Sequence, residues 1–230
     1  MGCLAIITAR GGSKRIPRKN IREFLGKPII TYSINAALES CVFDEVMVST
    51  DDMEIAEISR QSGALVPFFR SEEASSDIAG TTEVLVEVLE KYKEMGKRFE
   101  YACCIYPCAP FVTAARLREG MELLIAEGAD NVFPVAKFSY PPQRCLFIRG
   151  GKSGFLYPEY FHARTQDLEP LFHDAGQFYF FRSRILTAEK SLFCGRVIPI
   201  ILPATEVQDI DTEEDWLEAE AKYSFLVGKL

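Results

Sequence analysis

The 230-residue chain contains no uninterrupted apolar run of the roughly 18 or more residues that a membrane-spanning helix requires. Met1-Gly-Cys-Leu-Ala-Ile-Ile7 lacks the basic cluster of a secretory leader, so the chain reads as cytoplasmic. Its seven cysteines include no C-x-x-C pair, which argues against a zinc site and against a disulfide scaffold and leaves reduced, buried thiols. Positive charge is in the minority, 26 Lys and Arg against 33 Asp and Glu, a net charge of −7. A nucleic-acid partner, which needs a broad basic face, is therefore not expected. Both common nucleotide loops are missing. A P-loop needs G-x-x-x-x-G-K-[ST], whereas Gly11 and Gly12 are adjacent, and the third glycine of G-x-G-x-x-G is lost in a basic run. There is no internal repeat or low-complexity tract, and the length fits one domain over residues 1–230.

Against that acidic background, Arg10 to Arg22 holds six basic residues and no acidic one. The loop follows Cys3-Leu-Ala-Ile-Ile-Thr8, an apolar run that reads as a buried strand. A strand running into Gly11-Gly12-Ser13-Lys14 suits phosphates: glycines let backbone N–H groups approach an anion, and Lys14 adds a point charge. Six cations in one loop repel one another unless an anion or neighbouring carboxylates sit among them.

Apolar runs then alternate with helix-period segments. Ile30, Ile34, Ala37 and Leu38 share a helical face, and Glu45 to Ser49 reads as a strand. Asp52 to Ser62 reads as a helix and Ala64 to Phe68 as a short strand. A helix capped by Thr81 follows, then a buried strand over Tyr101 to Tyr106 and a helix marked by Leu117, Met121, Leu124 and Ile125. This rhythm predicts an α/β fold, a mostly parallel sheet with helices on both faces. Ligands in such folds bind beyond the carboxyl ends of the strands, where the basic loop, Thr50-Asp51 and Pro107-Cys-Ala-Pro110 converge. The rhythm breaks after Val135. Residues 137–172, rich in Pro, Gly, Tyr and Phe, read as an excursion with a hairpin around Gly150-Gly151. Its aromatics suit an interface, which predicts a homodimer.

A second chemical cluster is Gln208-Asp-Ile-Asp-Thr-Glu-Glu-Asp-Trp216. On an extended backbone Asp209 and Asp211 share a face about 7 Å apart and suit a hard cation. Capping of the next helix by Asp211 or Thr212 accounts for part of the cluster but not for Asp209.

Ala9-Arg-Gly-Gly-Ser-Lys-x-Ile-Pro-x-Lys-Asn20 resembles the nucleotide-binding signature of the cytidylyltransferases that activate nine-carbon acidic sugars, the CMP-sialic acid synthetases and their relatives. Asp209-Ile-Asp-Thr212 is similar to the metal-binding motif of that family, and the resemblance spans roughly residues 4–217. It implies a Rossmann-like nucleotidyltransferase sheet and a reaction of CTP with the sugar that gives a CMP-sugar and pyrophosphate. It further implies Mg²⁺ on Asp209 and Asp211, with Arg10 and Lys14 also catalytic. Nucleotide contacts would come from Ala9, Arg10, Gly11, Gly12, Ser13, Lys14, Lys19 and Asn20, and from Arg70, Asp77 and Thr81. Residues 138–144, 164–169 and 173–179 look like the pseudaminic acid branch. Tyr106, where the sialic acid enzymes usually carry Gln, and Gln177, Phe178 and Tyr179 are then sugar-pocket residues. Lys137, Gln143, Arg144 and Arg164 are candidates for the sugar carboxylate, with Arg the better geometric match. His173 reads as a hydrogen-bonded turn residue. N-acetylneuraminic and legionaminic acids are the alternative substrates. A nucleotide-sugar binding or glycosyltransferase-like protein without cytidylyl transfer is the alternative of another class.

Overall fold

The computed structural model describes residues 2–75 and 79–228. Its strands are β1 (Cys3–Thr8), β2 (Glu23–Phe24), β3 (Lys27–Pro28), β4 (Glu45–Ser49), β5 (Tyr101–Ile105), β6 (Asn131–Lys137), β7 (Leu146–Arg149), β8 (Lys152–Phe155), β9 (Phe172–Asp174), β10 (Phe178–Arg182) and β11 (Val197–Leu202). Its helices are α1 (Ile30–Ser40), α2 (Met53–Gln61), α3 (Glu72–Ser75), α4 (Thr81–Glu94), α5 (Ala114–Ala126), α6 (Ser183–Glu189) and α7 (Glu213–Val227).

Seven strands form one sheet in the order β11-β6-β10-β5-β1-β4, with β9 also paired to β6. β4, β1 and β5 are mutually parallel, as are β6 and β11. Because β10 runs antiparallel to both β5 and β6, those two share a direction. Only β10 and β9 oppose the rest, so the expected mostly parallel sheet is present. Side-chain alternation along β1 sends Cys3, Ala5 and Ile7 into one core with Ile34, Ala37, Leu117 and Leu124 of α1 and α5. Leu4 and Ile6 enter the opposite core with Leu85, Val88 and Tyr92 of α4. Helices therefore cover both faces, as buried central strands require.

A third cluster joins the two ends of the chain. Ile16 and Phe24 from the basic segment pack with Ile210, Trp216 and Ala219. Phe24 meets Trp216 edge-on at 5.7 Å, and the Arg22 guanidinium lies 4.5 Å over the indole. This small core sets the basic loop against the acidic segment.

Two local expectations change, and of the two caps expected for the last helix one is present. Ala64–Phe68 reduces to a single bridge between Met47 and Leu65. Thr81 is the first residue of α4, with Gly80 at the N-cap and no side-chain cap. The N-cap of α7 is Thr212, in a reciprocal pair with Asp215. The excursion carries the expected hairpin, β7 and β8. Its turn places Gly150 and Gly151 at φ 57° and 74°, the left-handed region that this tight turn demands. No helix among the described residues is long and apolar enough to cross a membrane.

Candidate active site

A cleft of about 430 Å³ opens at the carboxyl ends of β1 and β5. Arg10, Ser13, Lys14 and Lys19 line it from the basic loop, Tyr106 and Cys108 from the turn after β5, and Asp209 from the acidic segment. A second cleft of similar size is walled by Glu73, Glu83, Glu87 and Glu90, with Lys190 the one cation among the described residues that line it. Four carboxylates repel a triphosphate, so charge selects the first cleft.

The loop's cations are neutralised mainly by carboxylates of the chain itself. Arg18, in the left-handed conformation at φ 56°, pairs with Asp52 and Glu54. Arg15 meets Asp211 at 2.8 Å, Lys19 approaches the same carboxylate at 3.6 Å, and Arg22 meets Glu213 at 2.6 Å. The Arg18 guanidinium holds the Asp52 carboxyl below its ordinary range, helped by the N–H groups that Asp52 caps. Asp52 is thus both the cap of α2 and a post for the loop.

The two glycines have different jobs. The Gly11 N–H donates to Asp51 at 2.8 Å, so it is spent on the protein and not aimed at an anion. A Cβ on Gly11 would stand 2.7 Å from an Asp52 oxygen, which explains the glycine by close packing. Gly12 faces open space, with nothing within 4 Å of a Cβ position. Asn20, nearly buried, closes the loop by donating to the Arg10 carbonyl at 2.8 Å, and its own carbonyl accepts from the Cys108 thiol at 3.1 Å. Lys19 donates to the Ile210 carbonyl at 2.7 Å.

Asp209 and Asp211 flank the buried Ile210, which gives the alternation expected of an extended segment. Desolvation, and next the neighbouring Asp211, push the Asp209 carboxyl above its ordinary range, with Lys19 opposing. Two hard oxygen donors on one short extended segment are chemically suited to a divalent cation.

Other expected residues lie elsewhere. Ala9 is fully buried and its N–H joins Ser49, so it belongs to the core. Arg70 lies behind the cleft, donating to the Ser49 hydroxyl and carbonyl at 3.1 and 2.7 Å. Its pKa is lowered, chiefly by burial. Asp77 falls outside the described residues. Phe178 is wholly buried in the α1–α5 core and is not a pocket wall. Gln177 is 2 % exposed and donates to the Glu206 carbonyl, and Tyr179 is 3 % exposed. β10 is a central strand covered on both faces, which is why Phe178 and Tyr179 point into protein. Arg144 and Arg164 do not reach the cleft: on the excursion they meet Thr165 at 3.5 Å and Asp167 at 2.8 Å. Gln143 donates to the Glu169 carbonyl there, and His173 is exposed against Phe138. The residues that sequence reasoning passed over are Asp52 and Cys108. Their signal was position alone, each lying three residues past a strand end.

A family model described as cytidylyltransferase matches residues 4–139. A pseudaminic acid cytidylyltransferase of Campylobacter jejuni is 40% identical over 221 residues, covering 96% of this chain and 95% of that one. A CMP-N,N'-diacetyllegionaminic acid synthase of Legionella pneumophila is 34% identical over 227 residues, with 96% and 95% covered. A solved CMP:2-keto-3-deoxy-manno-octonic acid synthetase in complex with CTP superposes with a TM-score of 0.72 at 17% identity, over 100% of both chains, and so shares the fold. By sequence, this chain belongs to the cytidylyltransferase family.

Proposed function

We propose that the chain couples CTP to pseudaminic acid, giving CMP-pseudaminic acid and pyrophosphate. The observation that carries the reading is one cleft in which Arg10, Ser13 and Lys14 oppose Asp209. The near full-length relative from Campylobacter jejuni supplies the sugar. In the reaction the C2 oxygen of the sugar bonds to the α-phosphorus as the bond to pyrophosphate breaks, and the hydroxyl proton passes to solvent water. Such displacements depend on positioning and on charge neutralisation. Arg10 and Lys14 hold the triphosphate and offset the charge that grows on the leaving group. Asp209 and Asp211 would hold Mg²⁺, which supplies charge neutralisation and a lowered pKa for a bound hydroxyl. Arg15 and Lys19 keep Asp211 in place beside the loop.

A second reading, diacetyllegionaminic acid, is favoured by the Legionella pneumophila relative, matched over the same share of the chain. Pyrophosphate release with CTP, Mg²⁺ and a panel of pseudaminic, legionaminic and N-acetylneuraminic acids separates the readings. No release with any of them would count against cytidylyl transfer itself. A demand for CTP suits an enzyme of the cytoplasm. The excursion leaves Leu146, Ile148, Leu156, Tyr157 and Phe161 exposed, an apolar patch that suits a second copy of the chain. Light scattering at micromolar protein should report a dimer.

A further inference from the structure

Residues 207–212 lie between the turn at Ala204–Glu206 and α7 and belong to no helix or strand. Carbonyls along this stretch and at its start must find partners elsewhere. Side chains supply them. Gln177 donates to the Glu206 carbonyl at 2.6 Å, Lys222 of α7 to that of Val207 at 2.7 Å, and Lys19 to that of Ile210 at 2.7 Å. The Asp209 carbonyl accepts from its own neighbour, the side-chain amide of Gln208, at 3.2 Å.

Counting donors shows what orients that amide. An ammonium has three N–H donors and accepts nothing. Those of Lys222 face the Val207 carbonyl, the Gln208 side-chain oxygen at 2.8 Å and, more loosely, the Ala204 carbonyl at 3.4 Å. Lys222 can meet only the oxygen end of the Gln208 amide, so the NH2 end turns to Asp209. The result is a relay from α7 to the main chain of Asp209.

Val207 and Ile210 are buried in different cores and anchor the segment at two points. Between them stand only Gln208 and Asp209, and Asp209 lines the cleft. Apolar anchors fix how deep the span sits but not the rotation of the peptide groups between them. The relay supplies that constraint.

We propose that Lys222 and Gln208 are positioning residues that set the main chain of Asp209 and so aim its carboxylate into the cleft. Both act through Asp209 and not on substrate. The consequence for the reaction rests on the reading that Asp209 helps to hold Mg²⁺.

Lys222→Met keeps the apolar stem and removes the ammonium. Gln208→Met keeps the side-chain length and removes the amide. Hydrogen exchange read by peptide mass spectrometry should quicken at residues 207–211 by about threefold to tenfold in each, the worth of one net hydrogen bond, while β1 and β5 exchange as in wild type. The Mg²⁺ concentration for half-maximal rate should rise about tenfold, the lower end of what partners of metal ligands typically carry. CTP affinity by calorimetry in EDTA should stay within about twofold, because Arg10 and Lys14 are untouched. In the double variant the rise should be less than the product of the single effects, since both break one relay. Unchanged exchange at 207–211, or an unchanged Mg²⁺ demand where the wild type needs Mg²⁺, overturns the proposal. So does a loss of CTP affinity as large as the rise in Mg²⁺ demand. If Lys222→Met fails to fold, folded Gln208→Met decides by the same readouts. A wild-type rate independent of Mg²⁺ would defeat the metal reading instead, and exchange at 207–211 would still decide the positioning role.

Discussion

Lys19 donates to the main-chain carbonyl of Ile210 across 2.7 Å, joining positions 191 residues apart in the chain. The same ammonium lies 3.6 Å from Asp211. One side chain thereby locks the basic loop to the carboxylate-bearing segment, although its signature had implied a nucleotide contact. Lys19→Met should loosen that segment. Hydrogen exchange at residues 207–212 should quicken by about threefold to tenfold, the worth of one net hydrogen bond. Exchange equal to wild type would show that the small core of Ile210 and Trp216 holds the segment unaided.

Asp209 and Asp211 should separate from each other in stability while agreeing in activity. The Asp209 carboxyl is raised, chiefly by desolvation. A carboxyl raised by folding binds its proton more tightly in the native state, so stability falls as pH rises through the window between the ordinary and the raised value. At neutral pH the charge is a net cost, and Asp209→Asn should melt no earlier than wild type. Asp211→Asn gives up the contacts with Arg15 and Lys19, although Thr212 and Asp215 still cap α7. It should melt slightly earlier, within the roughly 0–1 kcal/mol typical of exposed pairs. Both should need more Mg²⁺ for half-maximal rate. Full activity of both at low Mg²⁺ would reduce the carboxylates to braces.

How far the sequence could be read depended on how many neighbours decided each residue. Strand β1 was legible because alternation and an apolar run are local properties. The basic loop's need for counter-charges was legible too, but not which ones. Asp52, Glu54, Asp211 and Glu213 are brought to it by tertiary packing. Ala64–Phe68 failed as a strand at the sheet edge, where Pro67 has no N–H to give. Phe178-Tyr179-Phe180-Phe181 was the hardest segment. Only the insertion of β10 between β5 and β6 shows that Phe178 and Phe180 enter one core while Tyr179 and Phe181 enter the other.

Gly11 and Gly12 should respond oppositely to the same methyl group. In Gly11→Ala the new carbon meets Asp52 at 2.7 Å, and Asp52 cannot retreat while it caps α2 and holds Arg18. Overpacking of this kind typically costs about 1–3 kcal/mol, so the melting temperature should fall. Gly12→Ala adds its methyl to open space and should melt like wild type. That methyl nevertheless adjoins Ser13 and Lys14, the loop residues proposed to meet the triphosphate, and CTP affinity by calorimetry should drop at least about tenfold, near 1.4 kcal/mol. Wild-type affinity in Gly12→Ala would mean that the triphosphate binds away from this loop.

Cys108 tests the inner wall of the cleft by its reactivity. Burial raises its thiol to about 12, Asp209 and Asp211 add to the rise, and Lys19 opposes it. An ordinary thiol with a pKa of about 8.5 is roughly one-quarter thiolate at pH 8, whereas one near 12 is about one part in ten thousand. The thiolate is the reactive form, so alkylation of Cys108 should lag behind the exposed Cys41 and Cys145 by about a thousandfold or more. Peptide mass spectrometry after timed iodoacetamide treatment reads all three sites in one sample. Substitution gives the matching stability test, since the thiol donates to the buried Asn20 that closes the loop on Arg10. Cys108→Ser keeps a donor and should stay near wild type. Cys108→Ala strands the Asn20 oxygen at a cost of about 1–3 kcal/mol, and should both melt earlier and bind CTP more weakly. Rapid labelling of Cys108, together with a wild-type melt for Cys108→Ala, would show that Asn20 holds the loop without it.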